Sequence, residues 1–148
     1  MSPDYKTNNL SNDAWGSIYQ EEVANYFKEL TGETPIIRDT HGVDVICGEY
    51  YLEVKGTRQL FIENKVRTEK RIFKTIRGWK TRPVDCPDAI THFVFVLDDK
   101  NLSSKPIIYV VDIVHIRERF RQYPDAKVIW FPLHWVFDHY NFDLSRIP

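Results

Sequence analysis

A mixed central β-sheet flanked by helices, in the α/β (α+β) class, is the fold that the sequence predicts. An amphipathic helical pattern at 13–30 is followed by the alternating pattern of an antiparallel hairpin at 43–55. A nearly continuous apolar and β-branched run at 91–97 then predicts a central strand that is buried on both faces. Helices and strands in this mixed order favour one sheet with helices on its faces.

The length of 148 residues predicts a single domain with one sizeable core. Residues 1–10 are polar and carry turn formers, so we expect a flexible N-terminal segment there and one domain over 11–148. No apolar run approaches the roughly 18 residues of a membrane span, and the N-terminus lacks a signal-peptide pattern. We therefore expect a soluble, cytoplasmic protein that does not bind membranes.

Cysteine and histidine give no sign of a zinc site or of a disulfide scaffold. The two cysteines, Cys47 and Cys86, and the five histidines are scattered without ligand spacing. Cys47 falls on the apolar face of the predicted hairpin, where a small buried hydrophobic residue is expected.

The hairpin at 43–55 has a well-defined predicted turn. Its midpoint, Gly48-Glu49, is a Gly-X pair of the kind that closes a two-residue type II′ turn between extended strands. Such a turn fixes the register and makes one face of the hairpin apolar. The expected pairs are Cys47 with Tyr50, Val45 with Leu52 and Asp44 with Glu53.

The other face of this hairpin gathers Asp44, Glu53 and Lys55. Opposed residues in antiparallel strands have Cβ atoms roughly 5 Å apart, and Lys55 shares the side of Glu53 because strand side chains alternate. Two carboxylates at that distance raise each other's pKa unless a cation lies beside them. Lys55 is one such cation, and a hard divalent ion such as Mg²⁺ is another. The alternative is a surface ion-pair cluster on an ordinary hairpin.

Asp44, followed nine residues later by Glu53-Val54-Lys55, resembles the motif of the PD-(D/E)XK nuclease superfamily. The resemblance spans about 12–97 and implies a restriction-endonuclease-like core. It implies that Asp44 and Glu53 bind a divalent metal, Mg²⁺ or alternatively Mn²⁺, with the main-chain carbonyl of Val54 as a further ligand. It also implies that Lys55 orients or activates the attacking water.

Two positions depart from the superfamily pattern. Val43 stands where the nominal proline would be. Several branches open the preceding helix with Gly-x-x-aromatic-Glu, whose acid reaches toward the metal, and here Gly16-Ser-Ile-Tyr19-Gln20 has that spacing but offers an amide. The resemblance thus adds Gln20 to the catalytic set, without a negative charge. Gln20 and Glu22 are alternatively ordinary border residues of an amphipathic helix.

The net charge of −1 conceals a strong asymmetry. Residues 55–82 hold ten Lys or Arg and two Glu, a local charge of +8, so the rest of the chain carries −9. A basic segment directly after a carboxylate–lysine hairpin predicts an electrostatic footprint for phosphates. The resemblance to the superfamily implies that the partner is DNA.

A second helix is predicted from about Ile62 to Gly78, with cations at spacings of 3 and 4 on a single face. That face either contacts phosphates or is simply solvated. Trp79 beyond it either stacks on a base or anchors the helix. The predicted nucleic-acid-binding residues are Arg58, Lys65, Arg67, Lys70, Arg71, Lys74, Arg77 and Lys80.

The C-terminal third predicts a strand at 107–111, a helix capped by Asp112 that runs to about Gln122, and a last strand at 128–131. The aromatic tail at 130–142 is either the closing lid of the core or a surface for a second subunit or for unstacked bases.

The function that these patterns predict is a Mg²⁺-dependent endonuclease that hydrolyses DNA. A homo-oligomer is expected, because a compact domain that cuts both strands commonly works as a symmetric dimer. The alternatives are a catalytically inactive nucleic-acid-binding or protein-interaction module on the same fold, and a small inhibitor-like protein that binds through its acidic remainder. RNA stays open as a substrate.

Overall fold

The computed structural model has an α+β fold built on a mixed six-stranded sheet, and this confirms the predicted class. The N-terminal segment 1–10 lies outside the described residues. Within the described ranges, none of the helices combines the length and the apolar character that crossing a lipid bilayer requires. The structure describes residues 12–38, 42–58, 61–66, 71–76, 78–100 and 102–146, with the backbone alone at 12–13, 61–66 and 71–76.

Helices and strands alternate irregularly along the described chain. The helices are α1 (Asn12–Thr31), α2 (Ile113–Gln122) and α3 (Leu133–His139), and 3₁₀ turns occupy Pro83–Asp85 and Leu144–Arg146. The strands are β1 (Ile36–Ile37), β2 (Val45–Cys47), β3 (Tyr50–Thr57), β4 (Phe61–Val66), β5 (Arg71–Ile76), β6 (Trp79–Thr81), β7 (His92–Leu97), β8 (Ile107–Asp112), β9 (Ile129–Phe131) and β10 (Phe142–Asp143).

The main sheet has the strand order β1-β2-β3-β7-β8-β10. Only β3 and β7 pair in parallel, and every other neighbour in this sheet is antiparallel. Strand β7 lies inside the sheet and is buried from Phe93 to Leu97, so the predicted central strand is confirmed. Two further two-stranded sheets, β4–β5 and β6–β9, lie outside the main one.

Each face of the main sheet carries its own apolar core. Helix α1 packs on one face, where Val23 and Phe27 are fully buried against strand residues such as Leu52. Strands β6 and β9 and helices α2 and α3 cover the other face, around Phe93 and Phe95. The sequence predicted one sizeable core, whereas the structure has two apolar layers, one on each face of the main sheet.

Two local predictions in this second layer are confirmed. Asp112 caps α2, because its Oδ1 accepts a hydrogen bond of 2.9 Å from the Val114 N–H. In the aromatic tail, Phe131 and Trp135 are buried and close the core, whereas Trp130 stays half exposed. The prediction of a closing lid is therefore confirmed for Phe131 and Trp135, and a binding role for Trp130 stays a prediction.

Trp79 belongs to the core rather than to a binding surface. It lies in β6, its ring is buried, and its Nε1–H donates to the carbonyl of Val96 over 3.1 Å. A tryptophan fixed in this way is not available to stack on a base.

The predicted helix from Ile62 to Gly78 is wrong. This stretch forms the antiparallel pair β4–β5, whose register opposes Glu63 to Lys74 and Val66 to Arg71. Its β-branched and aromatic residues favour strands. Residues spaced by 3 and 4 share a face of a helix, but alternate residues share a side of a strand, so the described cations Arg71 and Lys74 do not lie on one helix face.

Gly56 is required by the contact between α1 and β3. A Cβ added at Gly56 would lie 2.2 Å from Cδ2 of Tyr19. The Tyr19 ring is buried and its hydroxyl donates to Asp98 Oδ2 over 3.1 Å, so the ring has no room to retreat. The predicted hairpin end at Gly56 is also extended, because β3 continues to Thr57.

We expect Gly56→Ala to lower the free energy of unfolding by about 1–3 kcal/mol, as overpacking of a closed site does. The measurement is urea denaturation. Gly16→Ala is the matched control, because a Cβ built there meets no described atom within 4 Å outside its own stretch of helix, and the residue is inside α1. That control should gain about 0.5–1 kcal/mol. Equal stability of Gly56→Ala and wild type would contradict the packing of α1 on β3.

Candidate active site

The β2–β3 hairpin has the predicted register. Strand pairing opposes Val45 to Leu52 and Cys47 to Tyr50 across a two-residue turn. Gly48 in that turn has φ +58°, a left-handed conformation that glycine adopts without steric cost. The Asp44 N–H donates to the Leu52 carbonyl over 2.9 Å, so Asp44 is hydrogen-bonded to β3 just before the paired residues begin at Val45. The register does not include Asp44, so its predicted pairing with Glu53 stays a prediction.

Glu53 and Lys55 project toward the second core layer. The parallel register pairs Glu53 with Phe93 and Lys55 with Phe95, and paired residues share one side of a sheet. Glu53 is only 9% exposed. Its Oε1 lies 3.2 Å from Lys55 Nζ, whereas its buried Oε2 receives a hydrogen bond from no donor among the described residues. One carboxylate oxygen of this site is therefore unsatisfied.

Asp44 is fixed at the edge of β3 by a main-chain contact. Its Oδ2 accepts a hydrogen bond of 2.9 Å from the Val54 N–H. Because the N–H and C=O of one strand residue point to the same side, the Val54 carbonyl also lies on the β2 side of β3. The hairpin thus collects the carboxylate of Asp44 and the carbonyl of Val54 along one edge.

Burial and mutual charge dominate the electrostatics of this pair. Burial is the main cause that raises the pKa of Glu53 to about 7; the Asp44 charge raises it further and the Lys55 ammonium opposes the shift. Burial also raises the pKa of Asp44, against the hydrogen bond from Val54, the charge of Lys55 and a side-chain hydrogen bond with Glu53. Desolvation is therefore a larger cause than the repulsion that the sequence predicted.

The segment 82–88 forms a wall beside the pair. A Cβ built on Gly42 would lie 3.8 Å from Pro87 Cγ, so Pro87 lies close to the chain two residues before Asp44. Arg117 of α2 holds the segment by donating to the Asp88 carbonyl over 3.1 Å. Asp85, whose charge further raises the pKa of Glu53, pairs with Arg82 over 2.9 Å.

The sequence did not predict that the segment 82–88 lies near the carboxylate pair. The only local signal was a pair of prolines that predicted a turn, and no periodicity connects Asp85 with a hairpin thirty residues earlier. Cys86 also belongs here: burial raises the pKa of its thiol, and the charges of Arg117 and Glu53 act on it in opposite directions. Asp85 and Cys86 come near the carboxylate pair only through tertiary packing.

Among the described residues, no contact joins Gln20 or Glu22 to Asp44 or Glu53. Both lie on α1, which packs on the opposite face of the sheet from the Glu53 side chain. The neighbouring Tyr19 ring covers Gly56 on that opposite face. A catalytic role for Gln20 stays a prediction without support from the geometry.

The predicted nucleic-acid-binding cations are distributed over several elements. Arg58 follows β3, and its guanidinium lies 4.6 Å from the centroid of the Trp15 ring. Lys80 lies in β6 and is exposed. Lys65, Arg71 and Lys74 lie in β4 and β5, and the predicted residues Arg67, Lys70 and Arg77 fall outside the described residues.

The donor set suits Mg²⁺ better than zinc. No group of three or more His, Cys, Asp or Glu side chains is arranged for a metal in the part of the chain that the structure describes. Mg²⁺ commonly uses one or two carboxylates and takes its remaining ligands from waters and substrate phosphates. The pair Asp44 and Glu53, with the unsatisfied Oε2, fits this requirement.

Comparison of the chain with protein-family models, with curated proteins and with solved structures finds no match. The resemblance to the PD-(D/E)XK superfamily therefore rests on the motif itself. Conclusions about function depend on the geometry of Asp44, Glu53 and Lys55.

The stability of the protein should fall as the pH rises, because of Glu53. A carboxyl group whose pKa is raised in the folded state binds its proton more tightly there than in the unfolded chain. Its stabilising contribution is complete below pH 4.5 and is lost as the pH rises through about 7. Between pH 5 and 8 we expect wild type to lose on the order of 2 kcal/mol of unfolding free energy at this group.

Glu53→Gln should remove most of that decline, because the amide does not titrate. The measurement is urea denaturation at several pH values without divalent metal. Glu29→Gln, an exposed position on α1, is the control and should retain the wild-type pH profile. A Glu53→Gln profile as steep as that of wild type would contradict the buried state of this carboxyl group.

Proposed function

We propose that this protein is a divalent-metal-dependent endonuclease that hydrolyses DNA, with Mg²⁺ as the metal and Mn²⁺ as a substitute. The observation that carries the proposal is the buried Oε2 of Glu53, which has no hydrogen-bond partner among the described residues. Lys55 lies 3.2 Å from the other oxygen, and the charge of Asp44 acts on the same carboxyl group. Leaving a buried carboxylate oxygen unsatisfied is costly. A cation between the two carboxylates would remove that cost.

Each residue of the site has a distinct proposed task. Asp44 and Glu53 would hold Mg²⁺, which when bound supplies charge stabilisation for the scissile phosphate and lowers the pKa of a water. The Val54 N–H keeps the Asp44 carboxylate in place through its 2.9 Å hydrogen bond. Lys55, held beside Glu53, would orient the attacking water and stabilise the negative charge that develops on the phosphate.

The order of elements supports a variant of the restriction-endonuclease-like core. A helix, α1, precedes the β2–β3 hairpin, and β7 then pairs in parallel with the strand that carries the Glu-x-Lys motif. The connection between β3 and β7 contains the β4–β5 pair where the sequence predicted a helix. We propose that the chain is a member of the superfamily with a modified connection.

DNA is the proposed substrate because the cations cluster in sequence beside the site. The local charge of +8 over 55–82 follows directly on the Glu-x-Lys strand, in a protein whose remainder is acidic. Phosphate contacts of this kind hold a nucleic acid without reading its sequence. A symmetric dimer, which would offer one site to each strand, is part of the proposal.

A binding module without turnover is the second candidate. The amide of Gln20, where several branches of the superfamily have an acid, favours it, as does the distance in the fold between α1 and the Glu53 face. Such a module predicts DNA binding without metal-dependent cleavage, so the experiment below separates the two candidates.

We expect Asp44→Asn to reduce Mg²⁺-dependent plasmid cleavage by about 10²-fold or more, because it removes a ligand charge at the reacting phosphate. DNA binding should be unchanged or tighter. In wild type, Mg²⁺ should raise the melting temperature, as any ligand of the folded state does, and Asp44→Asn should lose this shift. Cleavage by Asp44→Asn at the wild-type rate would contradict the proposed function.

Two further variants sharpen this test. Lys55→Ala should lose cleavage but keep the Mg²⁺-dependent rise in melting temperature, since it leaves both carboxylates in place. Asp138→Asn, an exposed carboxylate on α3, should match wild type in both assays. DNA binding by wild type without any cleavage would favour the binding module.

The double variant Arg71→Ala and Lys74→Ala should weaken DNA binding for all sequences and flatten its salt dependence. Each lost phosphate contact lowers the slope of log K against log salt by about 1. Fluorescence anisotropy across a salt series measures the slope. The control double variant, Lys28→Ala and Lys105→Ala, removes two exposed cations elsewhere and should keep the wild-type slope. An unchanged slope in the first variant would exclude the β5 cations from the interface.

A further inference from the structure

The β6–β9 pair presents an outer face that the core does not use. Its register opposes Lys80 to Trp130. The flanking residues in both strands, Trp79, Thr81, Ile129 and Phe131, are all buried. Because strand side chains alternate, Lys80 and Trp130 point away from the core, and Trp130 is 49% exposed.

Two more residues extend this face toward the 82–88 wall. Arg82 follows β6 and Val128 precedes β9, at the next outward positions, and the Val128 side chain is 44% exposed. Arg82 is also exposed and pairs with Asp85. We define the outer β6–β9 face as Lys80, Arg82, Val128 and Trp130. It combines two cations with two apolar side chains.

The backbone beneath Trp130 is held firmly. Arg119 of α2 donates its Nε–H to the Trp130 carbonyl over 2.7 Å. The same guanidinium lies 5.6 Å from the ring centroid of Phe131 and 5.5 Å from that of Trp135, two buried residues. Trp130 is therefore an exposed aromatic side chain on a rigid support, whereas the other three tryptophans are at most 8% exposed.

We propose that the outer β6–β9 face binds single-stranded DNA, with an unpaired base stacked on Trp130 and adjoining phosphates on Lys80 and Arg82. Aromatic side chains beside cations are the usual means by which proteins hold single strands. Lys80 Nζ lies 5.7 Å from the Trp130 ring centroid, close to the outer limit of about 6 Å for a cation–π contact. This weak contact leaves the ammonium able to turn to a phosphate.

An unpaired strand suits this face better than a duplex does. Bases in a duplex are stacked on one another and offer only their edges, so Trp130 gains a stacking partner only from an unpaired base. The positive charge of Lys80 and Arg82 complements the phosphate backbone. The small extent of the face argues against a second copy of the chain, since stable interfaces bury about 1,200–2,000 Å² in total.

The face also leads toward the carboxylate pair. Strand β6 contacts β3, the strand that carries Glu53 and Lys55. Arg82, directly after β6, pairs with Asp85. A strand that lies across Trp130 and Arg82 would therefore pass the wall of the candidate active site. This inference rests on the proposed function, and it specifies the substrate as DNA with unpaired nucleotides near the cut.

Tryptophan fluorescence tests the proposal, because Trp130 is the exposed one of the four tryptophans. An oligonucleotide of thymidines should quench the wild-type protein in EDTA, where no metal-dependent cleavage occurs. Trp130→Ala should lose the quenching and weaken binding on the order of 10-fold, measured by anisotropy. Lys80→Ala should lower the slope of log K against log salt by about 1, because one phosphate contact is lost. A duplex of equal length should bind Trp130→Ala and wild type equally.

Phe137→Ala is the control, since Phe137 is 50% exposed on α3, outside the outer face, and it should bind like wild type. Equal affinity of Trp130→Ala and wild type for the single strand would overturn the proposal. So would self-association that Trp130→Ala abolishes, if the oligonucleotide causes no quenching. The assay contains no divalent metal, so its failure and a failure of Mg²⁺-dependent cleavage are separate results.

Discussion

Parallel pairing between β3 and β7 is the constraint on which the candidate site depends. It places β3 inside the sheet, so Glu53 and Lys55 must project into a covered layer rather than into solvent. Burial then raises the pKa of Glu53, and one of its oxygens has no hydrogen-bond partner among the residues that the structure describes. The same side chains on an edge strand would be a solvated ion pair of little consequence.

The cost of this burial is tolerated because rigid elements surround the site. Tyr19 over Gly56 fixes α1 against one face of β3, and Arg117 ties the 82–88 wall to α2 on the other. Sites that hold charged groups out of water commonly lower stability in exchange for activity. Such a site is expected to favour the cation that its carboxylates would share.

Local rules predicted much of the fold. The Gly48-Glu49 turn fixed the register of the hairpin, Asp112 capped its helix, and the run ending at Leu97 became the inner strand. The prediction of a helix at 62–78 was wrong, because the apolar residues of this stretch fit both a helical and an extended pattern. When β-branched and aromatic residues dominate a short segment, its hydrophobic periodicity does not distinguish a helix from a strand.

The sequence by itself determined the register of the hairpin that carries Glu53 and Lys55, because a two-residue turn and strand alternation act over a few residues. Only the tertiary structure decided that Glu53 is buried, that Asp85 and Cys86 lie beside it, and that Trp130 is left outside while Trp79 is enclosed. Those outcomes depend on which elements cover each face of the sheet. Such packing joins residues that are far apart in the chain, and no local pattern records it.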